Sequence, residues 1–459
     1  MTTAVKKENK MGTEEIKTLL FHMAWPLMVS MVIQALYNTV DSMFVARISE
    51  NALTAVSLAY PMQNLIIAVS VGTGVGVNAL ISKSLGAKNV EFANKVASVN
   101  LFLAVAIWVV FVFVGIFLLD PFIAMQTDDP EIFELAKSYL QICVFASFGL
   151  CMQVATEKLL QSTGKTMYNM YGQCTGAIAN IILDPILIFG MFGVPAMGIK
   201  GAAYATVLSQ FLSCCIGLYF NFKKNKEIAF SVNKMLPTFE ILQRIFSIGL
   251  PSILMMSLGS VMIFVINAIL ATFTPTAVAV YGVCFKLQNL CMMPVFGLNN
   301  AIIPIIAYNY GAKNYERITA TVRLGVLTAI TFMTTGMLFY LTFPEFFLLM
   351  FDASEDMLEI GVPALRTISI CFVTAAHNIS CSAVFQSLQR GKYSLAVSVA
   401  RQAVILMPMA YLLSLTGNLR FVWFAFPLSE VIAFIACFVF IRKVLRVVKG
   451  EMVATEIVN

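Results

Sequence analysis

The chain has 459 residues, of which 59% are hydrophobic and 12% charged, with 30 Lys and Arg against 24 Asp and Glu. Soluble domains carry about 25% charged residues, so this composition excludes a water-facing surface and leaves most apolar side chains to meet lipid or one another. The net charge of +6 does not mark a nucleic-acid partner, because the basic residues lie in short tracts between apolar runs, which is a membrane-topology pattern.

The opening residues through Lys17 mix Lys6, Lys7 and Lys10 with Glu8, Glu14 and Glu15, and no short apolar core with a small-residue cleavage site follows. They read as a cytoplasmic tail and not as a cleaved signal peptide. A helix crossing the hydrocarbon needs roughly 20 apolar residues. Runs of that kind fall at 19–47, 53–82, 94–119, 132–160, 168–192, 201–222, 245–272, 277–307, 322–343, 357–388, 395–415 and 421–441. If the first span runs outward, the even loops should be cytoplasmic and basic. They hold Lys83, Lys88 and Lys95; Lys158 and Lys165; Lys223, Lys224, Lys226, Lys234 and Arg244; Lys313, Arg317 and Arg323; and Arg390, Lys392 and Arg401. With both tails, 24 of the 30 basic residues fall on one side. The opposite loops carry Asp120, Asp128, Asp129 and Glu131, and Glu345, Asp352, Glu355 and Asp356. Both termini are therefore expected inside.

The halves repeat. Pro26 returns as Pro251, Gln63-Asn64-Leu65 as Gln288-Asn289-Leu290, and Gly72 as Gly297. At the same offset, Gly86-Ala87-Lys88-Asn89 returns as Gly311-Ala312-Lys313-Asn314, Gln161-Ser162 as Gln386-Ser387 and Tyr168 as Tyr393. Chance similarity between apolar segments would match Ala, Leu and Val, not a Gly-Ala-Lys-Asn run. An even number of spans per half makes the halves parallel, related by an axis along the membrane normal. The expected fold is an all-α membrane protein of twelve transmembrane helices in two parallel six-helix bundles. The first lobe covers 1–222, a cytoplasmic linker 223–240, and the second lobe 241–459.

Charges inside hydrocarbon are costly and mark function by default. Asp41 in span 1 and Asp184 in span 5 lie in the outer half of the first lobe, and their repeat partners are Ile266 and Met409. Gln34, Tyr37 and Asp41 share one helical face, as do Asn180 and Asp184. Thr206 of span 6 reaches a similar depth. Pro26 and Pro185 each permit a kink. In the second lobe Lys286 and Glu430 read as a structural ion pair, and His377 as a satisfied polar residue. Glu157 lies near the cytoplasmic end of span 4, where snorkelling lowers its cost. The ten cysteines fall inside apolar runs without C-x-x-C spacing and read as small buried hydrophobes. Gly72-x-Gly74-x-Gly76 lacks a preceding strand and a P-loop lysine, so it reads as close helix packing. No ATP-binding module is visible, so energy would come from an ion gradient or transport would be passive.

The duplicated halves, the Gly72–Asn89 segment ending Ser-Leu-Gly-Ala-Lys-Asn, its echo at Tyr310–Asn314 and the Asn180-x-x-x-Asp184-Pro185 pattern resemble the multidrug and toxic compound extrusion (MATE) family over nearly the whole chain. Within it, the chain is similar to the DinF-like and MepA-like branches. That resemblance implies a cation-coupling site, for H+ or Na+, at Asp41, Asn180, Asp184 and Thr206. It implies a substrate site at Gln34, Tyr37, Asp41, Asn180 and Asp184. The acids of helices 7 and 10 in the NorM-like branch have no counterpart in 246–274 and 360–388. The implied activity is multidrug antiport of organic, often cationic, compounds by alternating access. No enzyme chemistry, cofactor, metal beyond Na+, nucleic acid or ATPase subunit is expected, and the protein is expected as a monomer in the plasma (inner) membrane. Two rivals follow from the residues. A lipid-linked oligosaccharide flippase of the same superfamily would need several cavity Arg or Lys for an anionic head group. An intramembrane aspartyl protease would need a Gly-x-Gly-Asp motif, which the sequence lacks.

Overall fold

The computed structural model describes residues 9–351 and 353–458. Lys6, Lys7, Glu8 and Asp352, read above from sequence, lie outside them. Among the described residues every regular element is helical: α1 (Lys10–Thr13), α2 (Ile16–Ala46), α3 (Glu50–Gly86), α4 (Val90–Ala124), α5 (Pro130–Phe145), α6 (Phe148–Ser162), α7 (Thr166–Phe189), α8 (Ile199–Lys223) and α9 (Phe239–Ala271). The series continues with α10 (Pro275–Gly311), α11 (Tyr315–Thr342), α12 (Pro344–Leu349), α13 (Glu355–Ser369), α14 (Phe372–Ser387), α15 (Gly391–Val399), α16 (Met407–Ser414), α17 (Leu419–Trp423) and α18 (Ala425–Val458). A π-helical stretch, Ala400–Leu406, joins α15 to α16. Ten spans are long and apolar enough to cross a membrane, one of them running from α15 through the π-helical stretch into α16 and another from α17 into α18, and the bent pairs α5–α6 (45°) and α13–α14 (49°) bring the count to twelve.

The repeated residues make the same local structures in both halves. In Gly-Ala-Lys-Asn, Lys88 and Lys313 each adopt φ 59°, a left-handed turn that stops one helix. The next residue caps the following one: Asn89 Oδ1 accepts from Phe92 N and Asn314 Oδ1 from Arg317 N, each at 3.0 Å. A side-chain oxygen at this position satisfies a backbone donor that the helix leaves unpaired. Ser49 and Thr274, also repeat partners, cap α3 and α10. The bends correspond too, at Ala146–Ser147 and at Ile370–Cys371.

The contacts divide the chain into two compact units, Val29–Ile253 and the chain up to Met28 together with Leu254 onward. Lobes drawn at the polar linker follow the sequence. The compact units instead exchange the first halves of α2 and α9, and each of these helices changes unit two residues past a repeated proline, Pro26 or Pro251.

In the N-terminal unit (29–253), Gly72 and Gly76 lie against α9, where a Cβ would meet Ile253 and the Ile245 carbonyl. The Gly72-x-Gly74-x-Gly76 run is therefore a packing surface, as its setting in an apolar span suggests. In the C-terminal unit Gly297 has the equivalent task, and a Cβ there would stand 2.6 Å from Met28 Cα. Arg317 ties down the start of that unit. Its Nη2 donates to the carbonyls of Met11 (3.0 Å) and Glu14 (2.8 Å), and its Nε to Asn309 Oδ1 (3.1 Å). None of the ten cysteines is in a disulfide; seven, such as Cys143 and Cys437, are buried in line with the sequence reading, whereas Cys174 and Cys291 are half-buried and Cys215 is exposed.

Candidate functional site

The site in the N-terminal unit depends on how closely α7 approaches α8. Gly176 faces Ser213, and Gly201 faces the Leu187 carbonyl, with no room for a Cβ at either place. Small residues let helix backbones meet inside a membrane. This contact fixes the inward face of α7, on which Asn180 and Asp184 are both buried, at 1% and 0% exposure. Asp41 on α2 and Asp184 on α7 each stand five residues before the end of their helices, at matching depth.

The two carboxyl groups come within hydrogen-bonding reach of one another. Asn180 Nδ2 donates to Asp184 Oδ1 at 3.4 Å. Three oxygens here, Asp41 Oδ1, Asp184 Oδ2 and Asn180 Oδ1, are buried and accept no hydrogen bond. Among the described residues no basic side chain is ion-paired to either acid. Two like charges at about 4 Å repel by roughly 4 kcal/mol at an effective dielectric near 20. A positive charge between the carboxylates removes that repulsion, and three unpaired acceptor oxygens stand there to meet it. A proton or a monovalent cation fits this donor set, whereas no cluster of three His, Cys, Asp or Glu is present among the described residues to suit a multivalent metal.

Gln34 lies beside Tyr37, and Tyr37 is close enough to Asp41, Asp184 and Glu157 to interact with all three. Both line a polar cavity of about 30 Å³ together with Gln153, Gln173, Ser209 and Ser213. A buried water needs about 10–15 Å³ of such space, so the cavity has room for roughly two. Thr206 is half-buried on α8. Its carbonyl accepts from Ser209 Oγ at 2.7 Å, and no hydrogen bond joins its hydroxyl to either acid.

Sequence reasoning undervalued Glu157. Its carboxylate does not snorkel. Oε1 accepts from Gln153 Nε2 at 2.9 Å and Oε2 from Gln173 Nε2 at 2.8 Å, so α6 and α7 together hold a third acid beside the cavity. The signal was available in Gln153 and Glu157, one turn apart on one face of α6. Lys158, read as a loop residue, is 4% exposed within α6, and its Nζ donates to Gln161 Oε1 at 3.0 Å.

In the C-terminal unit the expected Lys286–Glu430 pair does not form. Lys286 is exposed, and the partner of Glu430 is Arg401. Arg401 was counted with the cytoplasmic flank, but helix begins at Gly391 and carries it near the middle of the 24-residue span Gly391–Ser414. Asn378 Nδ2 donates to the other oxygen of Glu430 at 2.8 Å. His377 is buried, with its ring 4.6 Å from that of Phe434 and Cys381 Sγ 3.6 Å from its Nε2, in keeping with a packed polar residue.

Twelve spans in two repeated halves, with a buried carboxylate pair in one of them, define an integral membrane transporter. The MatE family model matches residues 26–186 and 251–412, once for each half, and the chain belongs to the MATE family of multidrug transporters. It is 24% identical to the "Multidrug export protein MepA" of Staphylococcus haemolyticus, covering 95% of this chain and 96% of that one. The MepA of Staphylococcus aureus (strain MSSA476) is 23% identical, over 88% of this chain and 89% of its own. Among solved structures, one described as "Crystal structure of MATE in complex with MaL6" superposes with a TM-score of 0.91 at 26% identity, covering 97% of this chain and all (100%) of that one. Another, an "Outward-facing conformation of a multidrug resistance MATE family transporter of the MOP superfamily", gives 0.90 at 27% identity with 97% and 100% coverage.

Proposed function

We propose that this protein exports organic, mainly cationic and aromatic, compounds across the cell membrane in exchange for H+ or Na+, and that ion and cargo alternate at Asp41 and Asp184. The observation that carries this reading is the pair of facing carboxyl groups, with buried oxygens that accept no hydrogen bond and no basic partner. Asn180 holds one carboxylate in place, and Gln34, Tyr37 and the Glu157 cavity extend the polar wall toward the cargo. Thr206 stands beside them on α8.

The mechanism follows from charge. With both acids ionised and nothing bound, the site carries two buried negative charges. A coupling ion offsets the repulsion and weakens attraction for a second cation, so ion and cargo exclude one another. Exchange across the membrane results when the site opens to each side in turn. The basic flanks favour both termini on the cytoplasmic side, and the relatives named for multidrug export support the cargo class. A flippase for an anionic lipid-linked glycan finds no basic cluster at this acidic site.

The test is efflux of a cationic dye from proteoliposomes under an imposed ion gradient, with Asp41→Asn and Asp184→Asn proteins of confirmed fold. Gradient-driven efflux should fall at least about tenfold in each, the equivalent of roughly 1.4 kcal/mol. Efflux at the unmodified rate in both would reject the proposal.

A further inference from the structure

A guanidinium near the middle of a span calls for an account, because charges there are rare and face the interior. Arg401 is paired on one side only. Its Nη1 donates to Glu430 Oε1, while Glu430 itself is 6% exposed and saturated, its second oxygen taken by Asn378 Nδ2 at 2.8 Å. A guanidinium offers five N–H donors in a planar fork that matches a carboxylate two at a time. Here one bond reaches Glu430, and no other hydrogen bond of Arg401 is made among the described residues. Its side chain remains 24% accessible against 8% for Glu430. An ion pair serving only to brace α18 would close the fork on its partner; this one leaves the far edge of the fork open.

The backbone is specialised at the same place. Arg401 sits in the π-helical turn Ala400–Leu406, whereas its repeat region in α7 is regular helix with Gly176 at the corresponding position. Such turns are rare and gather at functional sites. Where α7 uses a glycine to close on α8, this span directs an arginine at α18.

We infer that Arg401 is an anion-recognition point within the C-terminal unit, with Glu430 as its resident counter-ion, and that it takes the carboxylate of zwitterionic or anionic aromatic cargo. The inference rests on the transporter reading and adds a cargo class to it, since the acids of the N-terminal unit recognise positive charge. Asn378 keeps Glu430 in place while the accessible edge of the fork receives the cargo carboxylate.

A matched pair of probes tests this: a rhodamine with a free benzoate, and its methyl ester, which differs only by masking that anion. Binding of each to the purified full-length protein is measured by fluorescence polarisation. The ratio of acid to ester affinity should fall about tenfold in Arg401→Gln/Glu430→Gln, which removes both charges while keeping similar shapes. It should also fall in Arg401→Lys, which keeps the charge and loses the fork, so the test survives if the double variant does not fold. An unchanged ratio in the folded variants would overturn the anion site and leave the cation exchanger untouched. Failure of the ester to bind the unmodified protein would instead count against the transporter reading.

Discussion

Asp41 and Asp184 each bury one carboxyl oxygen that accepts no hydrogen bond, whereas Glu157 and Glu430 have both oxygens hydrogen-bonded. The difference separates two acids with an unpaired oxygen from two that are held on both. A buried acceptor that loses its donor costs about 1–3 kcal/mol. Gln173→Leu should therefore lower stability by that amount, read as a drop in unfolding temperature in detergent, and Glu157→Gln should relieve part of it in combination. Breaking a buried pair on one side leaves an uncompensated charge and costs about 3–5 kcal/mol, while removing both partners is far milder. Arg401→Gln alone should thus destabilise more than Arg401→Gln/Glu430→Gln. Equal losses would mean that Glu430 is not relying on Arg401. The acid pair was legible in sequence because a carboxylate deep in an apolar run stands out. Glu157 and Arg401 were not, since a charge within a few turns of a basic loop has a cheaper explanation in snorkelling or flank charge. Only the start of helix at Gly391 and the two glutamines around Glu157 reveal how far inside they sit.

Helices in this chain are joined by repeated devices whose chemistry can be tested in pairs. Lys88 and Lys313 hold a left-handed backbone at φ 59°, which costs an L-residue about 1–2 kcal/mol and costs glycine little. Lys88→Gly should be neutral or stabilising, whereas Lys88→Val should lose about 1–2 kcal/mol, with Lys313 behaving alike. A second pair concerns helix contacts. A methyl at Gly76 meets the Ile245 carbonyl, and one at Gly297 stands 2.6 Å from Met28 Cα. Overpacking of this kind costs about 1–3 kcal/mol, so Gly76→Ala and Gly297→Ala should each reduce the unfolding temperature. Retained stability in both would show that the helices separate easily there. The Gly-Ala-Lys-Asn repeat and the spans were readable because turn chemistry and apolar length are local properties. The exchange of the first halves of α2 and α9 between the compact units was not, because a polar linker marks where the chain is solvated and not which helices it packs against.

At the scale of the whole molecule, the charge count at the acidic site limits what transport can do. If two facing carboxylates hold one positive charge at a time, one monovalent ion is exchanged for one monovalent cargo cation and no net charge crosses the membrane. A tenfold ion gradient supplies about 1.4 kcal/mol per ion, so such a cation should accumulate at most tenfold for each tenfold gradient. Potential should matter little, although each net charge moved would be worth about 2.3 kcal/mol per 100 mV. Proteoliposomes given separate pH and Na+ gradients would identify the ion by which gradient alone drives dye efflux. A clamped potential of either sign, set with a potassium ionophore, should then leave the accumulation ratio unchanged. Accumulation that shifts with potential would mean that two ions are exchanged per cargo, and that Asp41 and Asp184 are each neutralised in the same cycle. A carboxylate-bearing zwitterion carries no net charge, so its one-for-one exchange must respond to potential where the permanent cation does not, and measuring both cargoes in one preparation separates the two stoichiometries.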